Sequence, residues 1–424
     1  MSARFVWAAN SSQARTYKIV GWALLVIGLV LFAFAYADTA QITVLDNGYA
    51  LSLPRASKAV AFMIAILGLQ VVVGYTGQLV LGQSFFFGSG AYIGAYMVAD
   101  QNWPWLLSLV VVVPACFIIG CVLGLPALRI RGLYLALVTL GMAATFPSIV
   151  QLDSLDEYTG GAAGKTVDSD LVPPSWLPLD GIASFLQNIP LIGQYFGEGD
   201  LTSSEGERIW KFFLFVVLLA ACMWLVSNLI KSRPGRALRA IRDNETSAAV
   251  SGVHLAKDKT MSFGLASALG GVGGVVYVAE LGIASPLDFT QLLAINFIVG
   301  LVVGGVGTLS GAVIGGIVIA FVPDWSASTE EFPGIPERWL AGPTGVFILG
   351  CLLILLTFVL PGGVIAGVRR IRARIVQIVP VPPEGATAPP LPAGETEEDE
   401  LRHEADEISV GTAANDPLSE EPHS

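Results

Sequence analysis

The residues best placed to do chemistry in this chain are three arginines at three-residue spacing: Arg236, Arg239 and Arg242. They lie in a polar, strongly basic segment, Lys231–Lys259, called here the basic loop, between two long apolar runs. Pro234 suits the first turn of a helix, where its missing N–H costs no hydrogen bond. Leu238 and Ile241 would then fall opposite the arginines. The chemistry indicated is charged surface recognition by an amphipathic helix.

A second short helix is predicted directly after the first. Asp243 or Asn244 can cap its start, because both side chains accept hydrogen bonds from free backbone N–H groups. The helix is expected to run to Ser251, and Gly252 followed by Val253 is typical of a left-handed C-cap with its apolar contact. The basic loop is therefore predicted to form two capped helices at one surface of the molecule.

The residue types that catalysis needs do not converge in this sequence. Two of its three histidines, His403 and His423, lie in the C-terminal tail and the third is His254, so neither a metal cluster nor a Ser/His/Asp set is expected. Glu280 is predicted near a membrane surface, where a solvated carboxylate is the ordinary interpretation and a transport role the alternative. We expect no enzyme activity and no bound metal.

One segment, TGGAAGKT at Thr159–Thr166, ends like a phosphate-binding loop. Thr159 stands where the first required glycine should be, and the residues that follow do not predict the required helix. No nucleotide or other cofactor is therefore expected on this chain.

The composition places the chain in a bilayer, since 54% of its 424 residues are apolar and only 13% are charged. Several apolar runs exceed the ~20 residues that cross a ~30 Å hydrocarbon core. We predict an all-α, polytopic membrane protein with about 10 transmembrane helices. The predicted spans are Tyr17–Ala37, Leu53–Val73, Leu79–Ala99, Trp105–Leu125, Leu133–Leu152, Ile209–Ile230, Met261–Leu281, Gln291–Val303, Leu309–Val322 and Gly342–Leu360.

Charge distribution predicts the orientation of these spans. With both termini and the basic loop in the cytoplasm, 17 of the 23 Lys and Arg residues fall inside, as the positive-inside rule requires. The predicted parts are a cytoplasmic N-terminus (1–16), a transmembrane domain (17–365) with a large periplasmic loop (153–207), and a cytoplasmic tail (366–424). From about residue 381 the tail is acidic and poor in apolar residues, so we expect it to be disordered.

Two glycine-rich segments contain polar residues that must find partners or line a wet path inside a membrane. The first holds Gln78, Gln83, Ser84 and Tyr92, and its glycines 74 and 77 break the chain. The second is a four-residue glycine series around Gly304, Gly305 and Thr308. We predict a translocation pathway along these seven residues; the alternative is that they join helices structurally.

The chain resembles the permease subunits of Liv-type ABC importers, the branched-chain amino acid group that also includes urea and amide transporters. The matching pieces, in family order, are Gly74–Tyr92, Leu128–Ala143, Thr159–Gly164, Ser232–Val253, Leu265–Tyr277 and Val302–Gly315. The resemblance implies that the basic loop couples the subunit to cytoplasmic ATP-binding subunits, which use ATP and Mg²⁺. It places the loop signature at Glu245, Ala248, Ala249 and Gly252.

The resemblance further implies a second related permease subunit and an extracytoplasmic solute-binding protein in a bacterial inner membrane. The expected function is ATP-driven alternating access that carries branched-chain amino acids, with urea or short amides as the alternative solutes. An ion-coupled secondary carrier and a membrane scaffold are the rival classes. Coupled carriers place ionisable groups at mid-membrane, and the sequence shows none there. Nucleic-acid binding is not expected, because membrane spans flank the arginines closely.

Overall fold

The computed structural model describes residues 5–8, 33, 52–127, 132–168, 171, 173, 203–328, 350 and 362–379. The chain divides into two units, one of residues 32–365 and one of residues 1–31 with 366–424. The larger unit holds the helices that matter for function.

The long helices of the larger unit run back and forth between two opposite faces of that unit. The loop face carries the basic loop, and the far face is the opposite one. The helices are α1 Leu53–Leu69 with a π-helical extension Gln70–Tyr75, α2 Gln83–Ala99, α3 Trp105–Ala127, α4 Leu133–Val150, α5 Asp156–Thr159, α6 Ser203–Lys231, α7 Arg233–Asp243, α8 Glu245–Val250, α9 Leu255–Leu281, α10 Gln291–Gly304 and α11 Leu309–Ser328.

Each predicted span from the second to the ninth corresponds to one of these helices, which confirms an all-helical, polytopic architecture. The first and tenth spans and the acidic tail lie outside the described residues, apart from single positions. One start was wrong: the third span was predicted from Leu79, but its helix begins at Gln83. Gly77 adopts a φ of +75°, so the chain turns there and continues without helix to residue 82.

Four helical segments are long and apolar enough to cross a membrane: Leu53–Tyr75, Trp105–Leu125, Ser204–Lys231 and Leu255–Leu281. Shorter apolar helices occupy Tyr134–Val150, Gln291–Gly304 and Leu309–Pro323. α1 and α9 are almost wholly buried, whereas most residues of α3 and α6 are partly or fully exposed, including the exposed Val110 and Trp224. A contiguous apolar surface of this kind suits lipid as its solvent.

Glycines allow the helices to approach closely. A Cβ atom on Gly90 of α2 would overlap the Gly271 backbone of α9. In the α10–α11 hairpin, Gly304 faces the Gly311 carbonyl and Gly315 faces the Gly300 carbonyl in the same way. The four-residue glycine series is thus the contact surface between two antiparallel helices, as small-residue stripes are in membranes.

The far face carries a short two-stranded antiparallel sheet, which was not predicted from the sequence. Lys165–Thr166 (β2) pairs antiparallel with Ile283–Ala284 (β3). A strand therefore follows the glycines of TGGAAGKT where a phosphate-binding loop would have a helix, and the Lys165 ammonium pairs with the Asp100 carboxylate at 2.7 Å.

In the smaller unit, Phe5–Ala8 (β1) pairs in parallel with Val376–Val379 (β4), with Phe5 opposite Val376. Helix α12, Gly363–Ile375, precedes the second strand. No strand was predicted in either terminal segment.

Candidate functional site

The first helix of the basic loop, α7, is amphipathic as predicted. Pro234 lies in its first turn, and Gly235, Leu238 and Ile241 are buried on one face. The arginines at 236, 239 and 242 are exposed on the other face. The buried face anchors the helix to the bundle, so its polar face is held in a defined position.

Two of the three arginines hold the end of α6. Arg239 donates to the Ile230 carbonyl at 3.2 Å, and Arg236 donates to the Lys231 carbonyl at 3.4 Å. The last carbonyls of a helix lack partners within the helix and carry partial negative charge, so cations are favourable there. These arginines position α7 against α6.

Arg242 makes a different contact. Its guanidinium donates to the Gly74 carbonyl at 2.5 Å, across 168 positions of sequence. Gly74 belongs to the π-helical end of α1, so Arg242 joins the basic loop directly to a central helix of the bundle. This contact was not predicted.

Helix α8 has both predicted caps. The Asn244 side chain accepts from the Ser247 N–H at 3.0 Å. At the other end the Val253 N–H donates to the Ala248 carbonyl at 3.0 Å, and Gly252 has a φ of +85°. These features form a Schellman cap. The helix ends at Val250, one residue earlier than predicted.

Of the four residues at the loop signature, Glu245 and Ala248 face inward. Ala248 is buried, and the Glu245 carboxylate pairs at 2.6 Å with the ammonium of Lys259, whose side chain is only 9% exposed. Ala249 and Gly252 are exposed. Val250 between them is 87% exposed, an unusual state for an apolar side chain on a rigid, capped helix. Sequence reasoning missed Val250, although it stands next to the signature residues.

A second missed residue, Gln70, joins the two glycine-rich segments. Its side chain is fully buried, donates to the Gly305 carbonyl at 3.0 Å and accepts from the Gly307 N–H at 2.7 Å. The Thr308 hydroxyl also donates to the Gly305 carbonyl, at 2.8 Å. The available signal was a glutamine inside an apolar run, since a buried amide needs partners there.

These residues form what we call the glycine junction: Gln70, Gly74, Gly305, Gly307 and Thr308. A Cβ atom on Gly74 would lie 2.6 Å from Gln70 Oε1 and 2.9 Å from the Gly307 nitrogen, so no larger residue fits. Arg242 reaches the junction from the loop face, and its Nη1 would lie 3.0 Å from a Cβ atom on Gly307. The basic loop thus contacts the ends of α1 and the α10–α11 hairpin at one point.

The seven predicted pathway residues fall into separate environments. Gly304, Gly305 and Thr308 lie at the end of α10 beside Gln70, where Gly305 has a φ of +116°. Gln78, predicted to line the same pathway, lies in the non-helical segment at the loop face, where its backbone N–H donates to the Val72 carbonyl at 3.1 Å.

Gln83 joins helices. Its amide donates to the Ala65 carbonyl of α1 at 2.9 Å and to the Ala266 carbonyl of α9 at 3.2 Å. By contrast, the hydroxyls of Ser84 and Tyr92 are buried and have no hydrogen-bond partner within the described part of the chain. These two side chains keep unused hydrogen-bonding capacity inside the bundle.

The fold and the site together define a class. An apolar helical bundle of this kind, broken at glycines and joined at that break to a surface loop, belongs to a multi-pass membrane protein. Residues 55–357 match the family model described as the permease component of the branched-chain amino acid transport system, and the chain belongs to that family.

The curated relatives have similar names. The chain is 27% identical over 322 residues to the high-affinity branched-chain amino acid transport system permease protein LivM of Salmonella typhimurium, covering 74% of this chain and 70% of that protein. LivM of Escherichia coli K12 is 27% identical over 314 residues (73% and 69%). LivH of Salmonella typhimurium is 25% identical over 212 residues (44% and 61%). No solved structure matches.

Proposed function

We propose that this chain is a membrane-spanning subunit of an ATP-driven importer and translocates branched-chain amino acids by alternating access. The observation that carries the proposal is the bond from Arg242 to the Gly74 carbonyl, which joins the basic loop to the glycine junction. Movement of α7 and α8 is thereby passed to the ends of α1, α10 and α11. The relatives LivM and LivH are named as permease proteins of branched-chain amino acid transport systems, which supports the solute class.

In this proposal the energy comes from partner subunits. Cytoplasmic ATP-binding subunits hold ATP and Mg²⁺, a second related permease subunit completes the membrane part, and an extracytoplasmic solute-binding protein delivers the solute. This chain itself holds no cofactor, acts as no enzyme and contacts no nucleic acid. The positive-inside rule supports a bacterial cytoplasmic membrane location with the basic loop and both termini inside.

The surface proposed to dock on the ATP-binding subunit is the exposed end of α8, formed by Ala249, Val250 and Gly252. Glu245 and Ala248 hold that helix to α9 from the inner side. Arg236 and Arg239 fix α7 to α6, and Arg242 transmits the movement. The residues of the basic loop thereby divide among four mechanical roles: docking, holding α8, fixing α7 and transmitting movement.

The test is Val250→Asp in the complete transporter. Burial of a valine side chain at an interface is worth about 1.5–3 kcal/mol, and 1.4 kcal/mol is a factor of ten in affinity. We expect the association of the ATP-binding subunit to weaken at least about tenfold. ATP-dependent uptake of radiolabelled leucine into proteoliposomes should fall with it.

Val250→Ile is the matched control, because it keeps an apolar side chain at the same exposed position. A Val250→Asp transporter with wild-type assembly and uptake would remove this surface from the mechanism. The same proteoliposomes separate the rival classes: uptake driven by an ion gradient without ATP would indicate a secondary carrier, and uptake of urea in place of leucine would indicate the amide branch.

A further inference from the structure

Two oppositely charged, half-buried side chains lie at the far face: Lys58 near the start of α1, and Asp288 in the 3₁₀ turn Pro286–Asp288 between α9 and α10. Asp288 lies close enough to Lys58 for an electrostatic interaction. Within the described residues, however, neither charge has an ion-pair partner within 4.0 Å. Opposite charges that interact without forming an ion pair can be bridged by a ligand that carries both charges.

An apolar wall adjoins this pair. The Lys58 ammonium lies over the rings of Phe62 and Tyr277, 5.8 Å and 6.0 Å from their centroids. Asp288 is followed directly by the fully buried Phe289, whose ring centroid is 6.0 Å from that of Tyr277. Further rings of Phe87 and Phe297 continue the cluster toward the centre of the bundle. The charges therefore stand at the edge of a continuous aromatic surface.

Tyr92 adds an unused polar group to the same edge. Its ring centroid is 5.8 Å from that of Phe289, and its hydroxyl interacts electrostatically with Asp288. The residue is only 6% exposed, yet its hydroxyl has no hydrogen-bond partner within the described part of the chain. Nearly all buried polar atoms in native proteins have a partner, so an orphan hydroxyl beside an unpaired carboxylate indicates a ligand-binding group.

Neighbouring charges on this face are engaged elsewhere. Glu280, predicted as a solvated carboxylate, is half-buried, hydrogen-bonds with Ser57 and interacts with Lys211. Lys165 pairs with Asp100. Burial raises the pKa of Asp288, and Lys58 and the Ser285 N–H partly oppose that shift. A bound cation would therefore favour the charged form of this carboxylate.

We propose that Lys58, Asp288 and Tyr92 form a recognition site for the zwitterion of an α-amino acid with an apolar side chain. Lys58 binds the carboxylate, Asp288 binds the ammonium group, and the Tyr92 hydroxyl donates to the carboxylate. The aliphatic side chain contacts the rings of Phe62 and Tyr277. This inference rests on the proposed function, since it names where the arriving solute is recognised.

The test measures binding of L-leucine to the purified complex of permease and ATP-binding subunits, without the solute-binding protein, by isothermal titration. Each of Lys58→Gln and Asp288→Asn should weaken leucine binding about tenfold or more, the effect of losing one charged hydrogen bond. Two analogues assign the roles: leucinamide lacks the carboxylate, and 4-methylpentanoate lacks the ammonium group. The Lys58→Gln protein should no longer prefer leucine over leucinamide. The Asp288→Asn protein should no longer prefer leucine over 4-methylpentanoate.

One control reports on folding. Leu287→Ala removes a side chain that is 79% exposed on the same turn as Asp288, and it should bind leucine within about twofold of wild type. Unchanged leucine affinity in Lys58→Gln and Asp288→Asn would overturn the site. If leucine affinity were unchanged but the solute-binding protein no longer associated with these variants, the two charges would be docking residues and the proposed site would also be refuted. A wild-type transporter that imports no branched-chain amino acid would instead refute the proposed function.

Discussion

Gln70→Leu tests the glycine junction most directly. The wild-type side chain is fully buried and makes two hydrogen bonds, to the Gly305 carbonyl at 3.0 Å and from the Gly307 N–H at 2.7 Å. The leucine side chain has a similar volume but can form neither of these hydrogen bonds. The Gly305 carbonyl would still accept a hydrogen bond from the Thr308 hydroxyl, whereas the Gly307 N–H would lose its acceptor.

The magnitude follows from these contacts. A buried donor without a partner costs about 1–3 kcal/mol, and an ordinary hydrogen bond contributes about 1 kcal/mol net. We therefore expect Gln70→Leu to lower the free energy of unfolding by about 2–4 kcal/mol. Because the junction joins α1 to the α10–α11 hairpin at the Arg242 contact, leucine uptake per ATP hydrolysed should also fall.

The assay is SDS-induced unfolding in mixed micelles, followed by circular dichroism, with ATP hydrolysis and uptake measured in proteoliposomes. Gln101→Leu is the matched control, since Gln101 is exposed and bonds only the Tyr96 hydroxyl within the described residues. It should change the unfolding free energy by no more than about 0.5 kcal/mol. A Gln70→Leu protein as stable as the Gln101→Leu protein, with unchanged uptake per ATP, would refute the reasoning.

Two further substitutions test the packing around these elements. Gly90→Ala should cost about 1–3 kcal/mol in unfolding free energy, because its Cβ atom would overlap the Gly271 backbone and force α2 from α9. Gly141→Ala, with open space at its Cβ position, should instead stabilise α4 by up to about 1 kcal/mol. Glu245→Gln leaves the buried Lys259 ammonium without its carboxylate partner, so amide hydrogen exchange in α8 should become faster.

Specific outcomes would contradict these expectations. Equal unfolding free energies for the two alanine variants would show that α2 and α9 are not in tight contact at Gly90. Unchanged exchange in α8 of the Glu245→Gln protein would show that the cap at Asn244 and the burial of Ala248 alone hold that helix.

Local sequence signals predicted the basic loop well. Pro234, the cap at Asn244 and the left-handed Gly252 act through nearest neighbours in the chain, so their effect can be worked out without knowing the fold. The helices also followed from composition, because a bilayer requires backbone hydrogen bonds to be made within each span. The start of α2 was missed, since a helix boundary beside glycines depends on what packs there.

The roles of the polar residues could not be assigned from sequence. Gln78, Gln83, Ser84 and Tyr92 form one group in the chain, yet one lies in a connecting segment, one joins helices and two remain unpartnered. Gln70 and Gly307 are 237 positions apart, and no local pattern predicts that they meet. The contact of Arg242 with Gly74 was hidden for the same reason.

The sequence by itself determined that this chain is a helical membrane protein of the branched-chain permease family with a capped basic loop, because hydrophobic length, charge asymmetry and capping are properties of short segments. Only the tertiary structure decided where that loop acts, which glycines form the junction and which charges stand unpaired at the far face. Those features depend on contacts between residues more than 160 positions apart, as the bonds of Arg242 and Gln70 show. Packing selects such contacts among many that the same sequence pattern would allow.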